Sequence, residues 1–348
     1  MKVTSVLKKF SKKGAVTALV MVQLSGCSFI NNIIYKTTGD VMQNFSKDHT
    51  IPYVLSTDDL AVSCAMSESL SPLLMSFGRV TNEPNTLAVM LNMSAGACEE
   101  ERALEQELRY MRAIKEFRPD EAEDALILQK RHLVNAAKRQ YEAWKRLTAH
   151  FGEPGGASCP TLSDDFDQFI WMAGMLAGLQ ALNNEIMSTT SVGVPKNIAA
   201  KVERGASCLE DDKWWGVPMA MKATVWAMLP GAEPKGENAW ARLEAADKKG
   251  EKAHIRLTHV LHALAANTKG DMERVRNVIR THADQIKKHP SDEQNRLLDA
   301  IATAQLTALS DRLWTQNTGH RTPVGGFGTF WDDKKESTVE GISLDDLL

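Results

Sequence analysis

The chain has 348 residues, 41 Lys and Arg against 44 Asp and Glu, and a net charge of -3. Removing residues 1–26 takes away five lysines and no acid, so the remainder stands at -8 and keeps no basic face or arm for nucleic acid. What is left, about 320 residues, exceeds the usual single domain unless it is a repeating array in which each unit packs on its neighbours.

Residues 1–26 read as an export signal. Lys2, Lys8, Lys9, Lys12 and Lys13 precede an apolar run at 15–24, which is too short to stay in the bilayer as a permanent helix. Leu24, Ser25, Gly26 and Cys27 then form a lipobox, similar to that of bacterial lipoproteins. The resemblance implies cleavage before Cys27 and two or three acyl chains there, each buried methylene contributing about 0.8 kcal/mol of anchoring. Ser28, where an aspartate would hold the protein at the inner membrane, implies passage to the outer membrane. Beyond the signal, the sequence reading finds no second apolar stretch long enough to cross a bilayer.

Residues 27–56 are mixed and polar, as in a tether with some local structure. A helix is predicted after Asp58 and Asp59, with Leu60, Cys64, Leu70, Leu74 and Phe77 at helical spacing and Pro72 as a kink. A second begins after Asn85 and runs through the charged stretch 99–117; a third opens at Pro119 and ends near Gly152. Charges interleave along these two long helices, with Glu105 and Arg109 as an i, i+4 pair, which describes solvated outer faces. Cys64 and Cys98 lie equidistant from residue 81, the middle of the break between the first two helices. An antiparallel hairpin therefore opposes them, and in an oxidising periplasm they should bridge. Cys159 with Cys208 follows by elimination, with buried free thiols as the alternative.

After the loop at 152–161, Ser163 should cap a helix that is apolar around most of its circumference. A short helix follows Pro195, then an aromatic one after Asp211 and Asp212 that is stopped by Pro230 and Gly231. Two helix pairs come next, 238–249 with 253–268 and 271–288 with 292–316, punctuated by Gly250, Gly270 and Pro290. Ser291 and Gln294 resemble a capping box. The predicted fold is all-α, an array of antiparallel helix pairs similar in plan to a TPR (tetratricopeptide) α-solenoid, over residues 57–316. Residues 317–348 form a glycine- and aromatic-rich tail, partly flexible, in which the stretch 327–331 should dock on the body or on a partner.

Three stretches resemble a family. FIWMAGMLAGLQALNNE at 169–185, DKWWGVPMAMKATVWAMLPG at 212–231 and KGDMERVRNVIRTHAD at 269–284 are similar to the T-component of tripartite ATP-independent periplasmic (TRAP) transporters. The resemblance implies a periplasmic helical lipoprotein that works with a TRAP-type substrate-binding protein, forms a homotrimer and carries a channel for a hydrophobic ligand. The long charged hairpin and the cysteines depart from that pattern. Tryptophan and methionine suit an adaptable apolar lining, so the channel candidates are Phe169, Trp171, Met172, Met175, Trp214, Trp215, Met219 and Trp226. The competing reading makes the same residues solid core.

Catalytic signatures are missing from the sequence: it has no GxSxG, no phosphate-binding loop and no dinucleotide fingerprint, so no cofactor is expected. His259 and His262, with His254 nearby, could share a metal but lack an obvious third ligand. Paired acids such as Asp164 and Asp165 fit helix starts. Glu185 is the one candidate for a single-glutamate, peptidoglycan-cleaving enzyme. The reading is therefore non-enzymatic: a transport component binding or passing a hydrophobic molecule, or a membrane-tethered scaffold for other envelope proteins.

Overall fold

The computed structural model describes residues 33–333; the export segment, Cys27 and the acidic end of the tail lie outside the described residues. All the regular secondary structure of the described residues is helical, with no strand among them. Helix α1 comprises residues 33–45, a π-turn at Ser46–Thr50 and a short run at Ile51–Leu55. Then come α2 (Leu60–Phe77), α3 (Asn85–Lys115), α4 (Pro119–Phe151), α5 (Asp165–Ser188) and α6 (Ile198–Ala206). The series continues with α7 (Val217–Met228), α8 (Ala239–Ala253), α9 (Leu257–Lys269), α10 (Met272–Lys288) and α11 (Arg296–Thr318). Successive helices pack on one another, most extensively α3 on α4 and α4 on α5. The last helix also returns to the first ones, with α11 lying against α3, α2 and the end of α1.

Both predicted disulfides are present. Cys64 and Cys98 face each other across α2 and α3 with Cα atoms 5.9 Å apart, as the hairpin register requires. Cys159 and Cys208, 5.5 Å apart, tie the loop after α4 to the turn that follows α6.

The centre is α5. It has no polar face, because Phe169, Ile170, Trp171, Met172 and Met175 are all buried, and a helix apolar all round belongs inside. Gly174 and Gly178 let it approach α4 closely: a Cβ on Gly174 would stand 2.8 Å from Leu147, and Gly178 faces the Trp144 ring with no more room. The N-cap is Asp164, one residue later than the predicted Ser163, and its carboxylate accepts from the Asp167 N–H at 2.8 Å.

Four further local readings change. The i, i+4 pair of Glu105 and Arg109 does not form: Arg109 reaches across the hairpin to Glu121 (3.0 Å) and Asp124 (3.2 Å), and Glu105 holds Arg321. Together with Glu107 to Arg312 at 2.9 Å, the charged hairpin fastens α11 and the start of the tail, so part of its surface is an internal seam. Gly250 does not end α8 but lies within it, where a Cβ would come 2.9 Å from the Ile255 carbonyl and the Thr258 hydroxyl. Ser291 and Gln294 make no capping box, since the Ser291 hydroxyl donates to Asp299 and α11 starts only at Arg296. Helix α2, finally, is long and apolar enough to cross a membrane, with a mean hydropathy of 1.3 over 18 residues. Five serines interrupt the run and hide it in the sequence; at 1.5 Å per residue the helix spans about 27 Å, a marginal length for a bilayer core.

The tail docks. Phe330 is buried in a cluster with Val275, Ile279, Leu306 and Leu309, and the Arg276 guanidinium lies 4.9 Å over its ring and 4.7 Å over that of Trp331. Asp332 and Asp333 then pair with Arg276 (2.9 Å) and Arg280 (2.6 Å). Gly328 makes the approach feasible: its φ is +90° and a Cβ would collide with Ala283, so only glycine suits the position.

Candidate functional site

The eight channel candidates divide into two groups. Phe169, Trp171, Met172, Met175 and Trp214 belong to the main core, with Trp215 packed against it; Met219 and Trp226 sit on a separate cluster between α7 and α8. Trp171, Met172 and Met175 are at most 1% exposed. The Trp171 indole N–H donates to the Gly205 carbonyl at 3.0 Å, that of Trp214 to Gln168 at 3.0 Å, and that of Trp226 to Glu203 at 3.1 Å. Each indole therefore has its polar atom satisfied, as buried tryptophans require. Trp214 and Trp215 are not helical. They form the turn before α7, with Trp215 at φ 56°, an uncommon conformation for a bulky residue, held by the Gly216 N–H on the Asp211 carbonyl at 2.8 Å.

Two concavities stand out among the described residues, and neither borders any of the eight. One is an open groove of about 520 Å³ on the outer face of α4, lined by Ile127, Lys130, Arg131, Val134 and Asn135 and ending at Thr190. The other is an apolar crevice near the start of the chain. Ile51, Val54 and Leu55 of α1 cover it, Met66, Leu70 and Leu74 of α2 and Leu87, Met90 and Leu91 of α3 form its walls, and Leu297 of α11 closes one side. Its free volume is about 30 Å³, enough for a group the size of a water molecule. A longer apolar guest enters only if α1 lifts from α2 and α3.

The crevice was invisible to sequence reasoning because its cover lies in a stretch assigned to the tether. Residues 33–55 are helical and seated on the body, where Gln43 donates to Thr81 at 2.8 Å and Lys47 pairs with Asp164 at 2.8 Å. The apolar run IPYVL at Ile51–Leu55, set in polar sequence, was the signal available for it.

Titratable groups gather in three other places. Glu99 lies among Arg102 (2.7 Å), His132 (2.7 Å) and Arg139 (3.4 Å); burial would raise its carboxyl, but these partners outweigh it and the net direction is down. Glu100 faces the other way, towards the amides of Gln140 (2.9 Å) and Asn184 (2.6 Å), and burial pushes its carboxyl up despite both donors. The third place is a polar layer shared by α9 with the turn before it, α10 and α11. There Arg256 and Asp299 form a fully buried ion pair at 2.5 Å, with Asp299 also accepting from Ser291 at 2.6 Å. His259 meets His282 ring to ring, Nδ1 to Nδ1 at 3.1 Å, and His282 reaches Thr303 at 3.0 Å. Burial, then the charges of His259 and Arg256, push His282 down to about 3.

The sequence candidates for metal or acid chemistry are used structurally. His262 turns to Asp247 at 2.6 Å while His259 turns to His282 and Glu251, so the two do not share a point, and no group of three metal-ligating side chains is gathered among the described residues. Glu185 accepts the backbone N–H groups of Val192 (2.7 Å) and Val194 (3.0 Å). Burial alone would raise it, yet these donors bring it below the usual carboxylate range, the wrong direction for a general acid. It clamps the loop after α5. Comparison with protein-family models, with curated proteins and with solved structures finds no match to this chain.

Proposed function

We propose that the chain is an acyl-anchored, non-enzymatic helical component of an envelope transport system of the TRAP type, which takes an apolar molecule at the crevice between α1, α2 and α3 and hands it to or from a substrate-binding protein. The crevice carries this reading. It is apolar, includes two adaptable methionines in Met66 and Met90, and is covered by the segment that leads back to Cys27. An apolar molecule leaving a bilayer beside the anchor would meet it first. The stretches at 169–185, 212–231 and 269–284 support the transport system, the lipobox supports the periplasmic, outer-membrane address, and the stacking of successive helices supports the TPR-like plan, here closed by α11. Homotrimer formation rests on the family resemblance alone.

The second reading, a tethered scaffold without a ligand, is favoured by the dense packing of Trp171, Met172 and Met175. Native mass spectrometry of the full-length lipidated protein separates the two. The transport reading expects one non-covalent apolar adduct on each wild-type chain and its loss in Leu70→Trp, which fills the crevice. A wild-type chain without an adduct, or a Leu70→Trp chain that keeps it, leaves the scaffold.

A further inference from the structure

The face of α1 turned away from the body over residues 33–45 has no partner among the described residues. At 100° per residue, Ile34, Val41 and Phe45 fall within a 40° arc of the helix over residues 33–45, and they are 53%, 59% and 53% exposed. Thr37, Thr38, Met42 and Asn44 complete that half of the helix, which therefore carries no charge. The charged residues of the same stretch, Lys36 and Asp40, pair with each other at 2.7 Å outside that half. Opposite the stripe, Gly39 and Ser46 are buried, with Gly39 pressed against Thr81 and Phe77 so that α1 keeps one orientation on the body.

We infer that this stripe rests in the lipid surface to which Cys27 is attached, so that α1 is a second, non-covalent membrane contact that fixes how the body stands on the bilayer. The inference rests on the acyl-anchor reading proposed above. Two observations select lipid as the occupant. Cys27 precedes Ile33 by six residues, which extend to about 20 Å at most, so an acyl chain at Cys27 keeps the start of the stripe within that reach of the bilayer surface whatever path those residues take. A stripe one side chain wide also falls far short of the roughly 800 Å² per partner that a stable protein interface buries, whereas it matches the apolar face of a helix lying in a headgroup layer. Tyr35 beside it, 55% exposed, is a residue type enriched at that depth.

The test uses full-length lipidated protein in vesicles of phosphatidylethanolamine and phosphatidylglycerol. With Cys27 acylated and the other four cysteines in disulfides, Val41→Cys and Lys36→Cys each offer a single thiol for a nitroxide label. Collision rates with oxygen, which concentrates in lipid, and with a water-soluble nickel chelate report its depth. At 41 the oxygen rate should exceed the nickel rate, with the order reversed at 36. Nickel access at 41 equal to that at 36, in protein that floats with the vesicles, overturns the inference while leaving the anchor intact. A label at 41 shielded from both reagents overturns it in favour of a protein contact. Wild-type protein that does not float with vesicles removes the anchor reading and this inference with it.

Discussion

Two regions of the molecule are rich in methionine and large apolar side chains, and they differ in what surrounds them. Around α5, Trp171, Met172 and Met175 meet α4, α6 and the turn before α7 on all sides, and two glycines bring the neighbouring backbone into contact. Between α1, α2 and α3, Met66, Leu70 and Met90 are only partly buried and meet a small void. Composition is similar; enclosure is not. A flexible methionine fills a gap when neighbours close in from every direction, and offers an adaptable surface when one wall is a short, separately seated helix. The difference locates adaptability at the edge of the fold near its start.

The largest test of the contrast is truncation. Trp171→Ala removes a fully enclosed indole and its bond to Gly205 and should cost about 3 to 5 kcal/mol, whereas Met66→Ala, at a site already bordering a void, should cost under about 2 kcal/mol. Thermal or denaturant unfolding measures both, and equal losses would erase the distinction. Next in size is the Cys64–Cys98 bridge, which pins one crevice wall to another across a sequence separation of 34. Replacing both cysteines by serine should cost about 3 kcal/mol, mainly by freeing the unfolded chain. Hydrogen exchange should then rise in α1 and α2 and stay unchanged in α5; a rise spread evenly over both regions would mean that they are one cooperative unit.

Much of this arrangement was legible in the sequence, and what was lost has physical causes. The hairpin of α2 and α3 follows from one break and two cysteines equidistant from it, because antiparallel geometry leaves little freedom. The long helices follow from period and Pro119. The Trp and Met stretches identified the interior around α5 but not whether it was hollow, since a lining and a filling have the same helical spacing. Trp214 and Trp215 looked helical by composition, yet the chain turns there through a positive φ that no local pattern announces. Gly250 looked like a stop and is instead a contact, a choice made by Ile255 and Thr258. The crevice required α11 to come back on α1 to α3, a long-range event, and its cover was hidden among polar residues.

Acid gives the smallest and most selective test, because the polar layer beneath α11 holds a buried histidine pushed far down by the fold and the two apolar clusters contain no histidine. His282 ordinarily titrates at 6.5 and is pushed to about 3 in the fold. Between those values the unfolded chain binds a proton that the folded chain refuses, so the stability present above pH 6.5 is lost as pH falls towards 3. The slope cannot exceed about 1.4 kcal/mol per pH unit for one group. Helix α11 carries Thr303 to His282 and Leu297 to the crevice, so loosening of the layer should also loosen the crevice wall, and an apolar adduct held there should dissociate more readily at pH 5 than at pH 7. The core around α5 should keep its near-ultraviolet tryptophan signal over the same range. His282→Gln, which keeps a side chain able to reach Thr303 without a proton to bind, should flatten both the stability profile and the adduct loss. A variant with the wild-type slope would assign the acid sensitivity to other groups and uncouple α11 from the crevice.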